Sequence, residues 1–111
     1  MNLIIATRRY YADPTSEEPE VIVSLERPFQ SEPGFCRCIY HLTGIKQVTR
    51  YSEGVDEFHA LVSALAMAGT DLQYLNEQSY GGMLRWDGGP AESSLPTTRD
   101  HWPFNKASTL P

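Results

Sequence analysis

The sequence has no apolar run approaching the roughly 18 residues needed to span a bilayer as a helix, which excludes a helical membrane protein. Its start lacks the order of a secretory leader. The short run Leu3-Ile4-Ile5-Ala6 is followed, not preceded, by the positive charges Arg8 and Arg9, so no signal peptide is expected and the default location is the cytoplasm. Cysteine is scarce. Cys36 and Cys38 stand two apart on one predicted strand, a poor geometry for a disulfide, and reduced thiols suit a reducing compartment. Basic residues are few, nine Lys and Arg against 14 Asp and Glu, for a net charge of −5 and a pI near 5.0. A basic face supplies most non-specific affinity for nucleic acid, so DNA or RNA binding is not expected. Nor is there a phosphate-binding loop, because Gly81-Gly82 and Gly88-Gly89 lack the spaced glycine-lysine pattern and do not lie between a strand and a helix.

What is present is an ordinary globular composition, 41% hydrophobic and 21% charged over 111 residues. That length suits one hydrophobic core. The expectation is a single domain over 1–111, with an ordered core over about 1–90 and an irregular tail over 91–111, rich in Ser, Thr and Pro. Charge is unevenly placed: residues 1–50 carry six acids and six bases, residues 51–111 eight acids and three bases. All the net negative charge therefore lies in the second half, which suits a basic protein partner as well as simple solubility.

Four segments of the first half alternate as strands do. Asn2–Tyr11 comes first, then Val21–Phe29 with Val21, Val23, Leu25 and Phe29 on one face. Phe35–Thr43 follows, with Cys36, Cys38, Tyr40 and Leu42 opposite Arg37 and His41, and Lys46–Glu53 reads as a polar edge strand. Turn formers separate them at Asp13–Pro19, at Ser31-Glu32-Pro33-Gly34 and at Thr43-Gly44-Ile45. Short connections between consecutive strands favour an antiparallel meander. A helix follows, with Asp56 as N-cap and Glu57 at the positive end of its dipole. Phe58, Leu61, Val62 and Leu65 form the stripe expected to be buried, with Gly69 as a helix stop. Ala60, Ala64, Ala66 and Ala68 allow close approach to a sheet. Leu72, Tyr74 and Leu75 continue the helical region after an irregularity, and the stretch around Met83, Leu84 and Trp86 suggests a short fifth strand. The fold class expected is α+β, an antiparallel four- to five-stranded sheet with one long helix on one face.

Candidate chemistry is sparse. Cys36, Cys38 and His41 carry zinc-binding groups within six residues, yet an extended strand turns His41 away from the two thiols. No metal and no cofactor is expected. There is no Gly-x-Ser-x-Gly elbow to single out a nucleophile, so an enzyme is not expected. A cryptic one would have to use His41 or His59 with nearby acids. Arg8, Arg9, Arg37 and Arg50 could form a basic strip on an open sheet face or pair with surrounding acids. Tyr74, Tyr80, Trp86, Trp102 and Phe104 are concentrated in the acidic half, where aromatics rimmed by charge are what protein interfaces favour.

From about Arg37 to Trp86 the chain resembles a family of small uncharacterised bacterial proteins in which strands lead into a Gly-Val-Asp helix start. The matching residues are Gly54-Val55-Asp56, Ala60-Leu61, Ala64-Leu65, Met67, Gly69, Leu72, Leu84 and Trp86. The resemblance implies a bacterial source and a strands-then-helix layout, and it carries no catalytic residue. The leading functional expectation is a non-enzymatic protein-binding domain, an immunity or antitoxin-like protein that neutralises a basic toxin through Asp71, Glu77, Tyr80 and Trp86. The alternative is a small-molecule or peptide binding module whose pocket, between sheet and helix, is lined by Tyr40, Phe58, Leu65 and Trp86.

Overall fold

The structure is a computed structural model that describes residues 3–13, 15–86 and 95–98. It is α+β. Among the described residues six antiparallel strands, β1 (Ile4–Tyr11), β2 (Val21–Glu26), β3 (Phe29–Glu32), β4 (Phe35–Thr43), β5 (Gln47–Gly54) and β6 (Arg85–Trp86), form one sheet, and one helix, α1 (Glu57–Ser79), precedes β6. β5 pairs with β4 from Cys36 to Thr43. The other edge of β4 is shared, by β2 opposite Tyr40–Thr43 and by β3 opposite Phe35–Arg37. β2 and β3 are therefore one row, interrupted at Arg27-Pro28, and the rows run β5, β4, β2/β3, β1, β6.

The interruption has a cause in proline, which cannot donate to the ladder. Leu25 pairs with Tyr40 but Phe29 pairs with Arg37, so the register slips by one residue across Pro28. A slip of one moves side chains to the other face. Phe29 consequently leaves the face of Val21, Val23 and Leu25 on which simple alternation places it. The Ser31–Gly34 turn is also narrower than expected: Ser31 and Glu32 remain in β3, and only Pro33-Gly34 forms the loop, with Gly34 at φ 85° supplying the left-handed position after proline.

One sheet face is the core. Tyr10, Val21, Val23, Leu25, Cys38, Tyr40 and Leu42 are buried there beneath α1. Asp56 caps the helix as expected, its Oδ1 accepting from the His59 N–H at 2.7 Å. The bond satisfies an orphan amide of the first turn. Gly54 is there for space: a Cβ on it would lie 2.5 Å from the Ala60 nitrogen, where β5 runs into the helix.

The buried stripe of α1 differs from the expected one. Phe58 is 76% exposed, and Leu61, Val62 and Leu65 are only half-buried. Ala60, Ala64, Ala68, Leu72 and Leu75 face the sheet. Small side chains bring the two backbones close, and Ser52 Oγ donates to the Ala60 carbonyl at 2.8 Å across the gap. Gly69 does not stop the helix, which runs unbroken for 23 residues. It is buried against a strap, Leu95–Thr98, whose Pro96 carbonyl oxygen lies 1.9 Å from where a Gly69 Cβ would stand. Ala66, three residues earlier on that side, is buried as well. Thr70 Oγ1 donates to the Ala66 carbonyl and accepts from the Thr98 N–H.

The helix ends after Ser79 instead, in a cap built on Asn76. Its carbonyl accepts from the Tyr80 and Gly82 amides, its Oδ1 accepts from the Leu84 N–H, and Gly81 and Gly82 take positive φ. The expected fifth strand is reduced to two residues, Arg85 and Trp86, paired with Tyr11 and Tyr10. Of the expected tail, residues 91–94 and 99–111, with Trp102 and Phe104, lie outside the described residues.

Candidate functional site

The inner face of β5 carries Val48, Arg50 and Ser52, because these pair directly with Leu42, Tyr40 and Cys38 of β4. Across from them, the last three turns of α1 present Thr70, Asp71, Tyr74, Leu75 and Gln78. Near the β4–β5 hairpin the two surfaces diverge and leave an open cleft of about 650 Å³, lined by these residues together with Leu42, Lys46 and Ser79.

Asp71 is the fixed point of this cleft. Arg50 Nη1 donates to both of its carboxylate oxygens, at 2.9 and 3.0 Å, and the Tyr40 hydroxyl donates to Oδ2 at 2.6 Å. Tyr40 is fully buried, whereas the Arg50 side chain is 52% exposed. Burial, and then the hydrogen bond to Asp71, raises the Tyr40 hydroxyl well above the ordinary phenol range. The phenol is thus a neutral donor that orients Asp71, and it cannot serve as a base. Arg50 commits only Nη1; its Nε and Nη2 carry no partner among the described residues. Lys46 at the hairpin likewise forms no ion pair among them.

The outer sheet face is knit together differently. Arg37 pairs with Glu53 at 3.1 Å and stacks over Tyr51 at 4.0 Å, while His41 Nε2 meets Glu26 Oε2 at 2.5 Å and its Nδ1 meets Thr49 Oγ1. No basic strip forms. Arg50 lies on the inner face with Asp71, and Arg8 sits over the Trp86 ring at 5.1 Å. Cys38 points into the core and donates to the Glu26 carbonyl, its thiol pushed up by burial to about 11, so it is a protonated small hydrophobe. Among the described residues no three His, Cys, Asp or Glu side chains converge on a metal position. His59 accepts the Val55 amide on Nδ1 beside the helix cap.

The four residues expected to bind a partner are not gathered at one point. Asp71 lies in the cleft against β5, Glu77 is exposed, and Tyr80 packs on the core near Gly44. Trp86 stands at the far edge of the sheet beside Tyr10. The pocket expected between Tyr40, Phe58, Leu65 and Trp86 is also displaced, since Phe58 faces solvent and the cleft opens by the hairpin. Lys46 and Val48 were invisible as site residues, and Arg50, expected in a basic strip or paired with an acid, could not be matched to its partner, because Asp71 is 21 positions from Arg50 and 31 from Tyr40 and such a triad has no local pattern. Residues 6–97 match the family described as DUF6968, a domain of unknown function. The chain belongs to that family. No curated protein and no solved structure matches it. Among the described residues, no helix is long and apolar enough to cross a membrane.

Proposed function

We propose that this DUF6968 protein is a bacterial, cytoplasmic, non-enzymatic binding module, and that it takes a small molecule or short peptide in the cleft between α1 and the β4–β5 hairpin. One observation carries the reading. A cleft of about 650 Å³ combines apolar walls, Leu42, Val48 and Leu75, with convergent polar groups whose geometry is fixed by Asp71. Binding sites for small ligands are concave, mostly apolar and furnished with a few fixed polar groups, at volumes of roughly 300–1,000 Å³. The test is a thermal-shift screen of the full chain against metabolite and short-peptide pools. A true ligand raises the melting temperature of the native chain and loses that effect in Gln78→Trp, which fills the exposed mouth of the cleft. A screen with no stabilising pool, or a shift that survives Gln78→Trp, overturns the reading.

A second reading, an immunity-type protein that neutralises a basic partner, is favoured by the first turn of α1. Val55 and Phe58 are 70% and 76% exposed next to Asp56 and Glu57, apolar ground rimmed by acid. Such a complex forms more slowly as salt rises. It is weakened by Phe58→Ser and unaffected by Gln78→Trp, which separates it from the cleft reading.

A further inference from the structure

The charges around the cleft restrict what can enter it. In a chain of net charge −5, the lining holds two cations, Lys46 and Arg50, and one acid, Asp71. The acid is not free to receive a cation, since both of its oxygens already accept from Arg50 and one of them also from Tyr40. What remains is a local excess of one positive charge. It is expressed by the Lys46 ammonium and by the Nε and Nη2 edge of Arg50, the edge a planar guanidinium uses to hold a carboxylate with two parallel bonds. Beside these donors lie Leu42, Val48 and Leu75, with the Tyr74 ring 64% exposed at the wall. A cationic ligand would meet uncompensated like charge, and a neutral one would leave the positive charge uncompensated.

Resting on the binding-module reading, we propose that the ligand is a small monoanion with an apolar body. Its carboxylate is held by Lys46 and the outer edge of Arg50, and its apolar body lies along Val48, Leu75 and Tyr74. Asp71 acts as a positioning residue: by holding Nη1 it turns the remaining edge of Arg50 toward the cleft. A phosphate monoester offers similar acceptor oxygens at a charge of about −1.5 to −2, and the experiment separates the two.

The experiment is a nitrogen-15 amide-shift titration of the full chain with 4-phenylbutyrate, with its uncharged amide 4-phenylbutyramide, and with phenyl phosphate. The carboxylate is expected to shift the Val48, Arg50, Thr70 and Tyr74 amides saturably, and the amide to bind about tenfold more weakly, a difference of one charge-assisted contact. Lys46→Gln, at an exposed position that will not affect folding, weakens the carboxylate several-fold and leaves the amide unchanged. Phenyl phosphate binding tighter than the carboxylate at the same residues overturns the monocarboxylate assignment and gives the anion site to phosphate esters. Equal binding of carboxylate and amide at those residues overturns the charge requirement while the cleft stands as a binding site. Absence of cleft shifts with all three probes overturns the inference, whereas a Gln78→Trp-sensitive hit in the metabolite screen would still uphold the binding-module reading.

Discussion

Asp71 shows how much one surface-facing acid can hold in place. Its removal acts unequally on its two partners, since the half-exposed Arg50 can turn to water and the buried Tyr40 hydroxyl cannot. A buried donor left without an acceptor costs about 1–3 kcal/mol. Asp71→Ala is therefore expected to destabilise the protein by about 2–3 kcal/mol in urea unfolding, and Tyr40→Phe, which leaves Asp71 paired with Arg50, by about 1 kcal/mol. In the Asp71→Ala background, Tyr40→Phe should cost nothing or restore stability, because the unsatisfied hydroxyl goes with it. Additive losses in this double-mutant cycle would show that the 2.6 Å contact carries no coupling. None of this was readable from the sequence. The stripe that exposed α1 as a helix marks which residues repeat along it, whereas the partners of Asp71 are fixed by the register of β5 on β4.

At the scale of the element, α1 shows why its ends and its faces were unequally legible. Its start was readable because capping is local: Asp56, three residues before His59, can satisfy only that turn. The burial pattern was not, because α1 is covered on two sides. The sheet takes Ala60, Ala64 and Ala68, and the strap takes Gly69, so the large apolar residues between them are left at the flanks. Gly69 was misread for the same reason, since its lack of a side chain serves a close approach and not a left-handed turn. Strand alternation was legible along the core faces of β2 and β4, and it failed across Pro28, where the register slips. The two meanings of Gly69 predict opposite signs for one substitution. By helix propensity alone, Gly69→Ala stabilises by about 1 kcal/mol. With the Pro96 oxygen 1.9 Å from the new Cβ, the strap must move, and the expected result is a lower melting temperature. Faster hydrogen exchange of the Thr98 amide, which donates to Thr70 in the intact strap, should accompany it. A higher melting temperature with Thr98 still protected would refute the packing role.

At the scale of the whole molecule, the core is stitched through the inner face of β4, which lies between the β2/β3 row and β5 and beneath α1. Two of its ionisable side chains, and one on β1, hold their protons more tightly in the folded chain than out of it. Burial, aided by Glu26, lifts the Cys38 thiol from its ordinary 9.0 to about 11. Burial and then the Asp71 hydrogen bond lift Tyr40, and burial lifts Tyr10 against an opposing contribution from Arg8. While the pH is below the unfolded values, both states keep these protons and the folded chain retains its full stability. Above them the unfolded chain releases protons first, so the free energy of unfolding falls as pH rises. The loss begins near pH 9 with the thiol and steepens past pH 10 with the phenols. Urea midpoints measured under reducing conditions from about pH 8 to about pH 11 should decline accordingly. Cys38→Ala lowers stability at every pH through lost packing, so the comparison is of slopes. Its curve should decline less steeply than that of the native chain between pH 9 and 11, whereas parallel curves would mean that the thiol is not held protonated by the core.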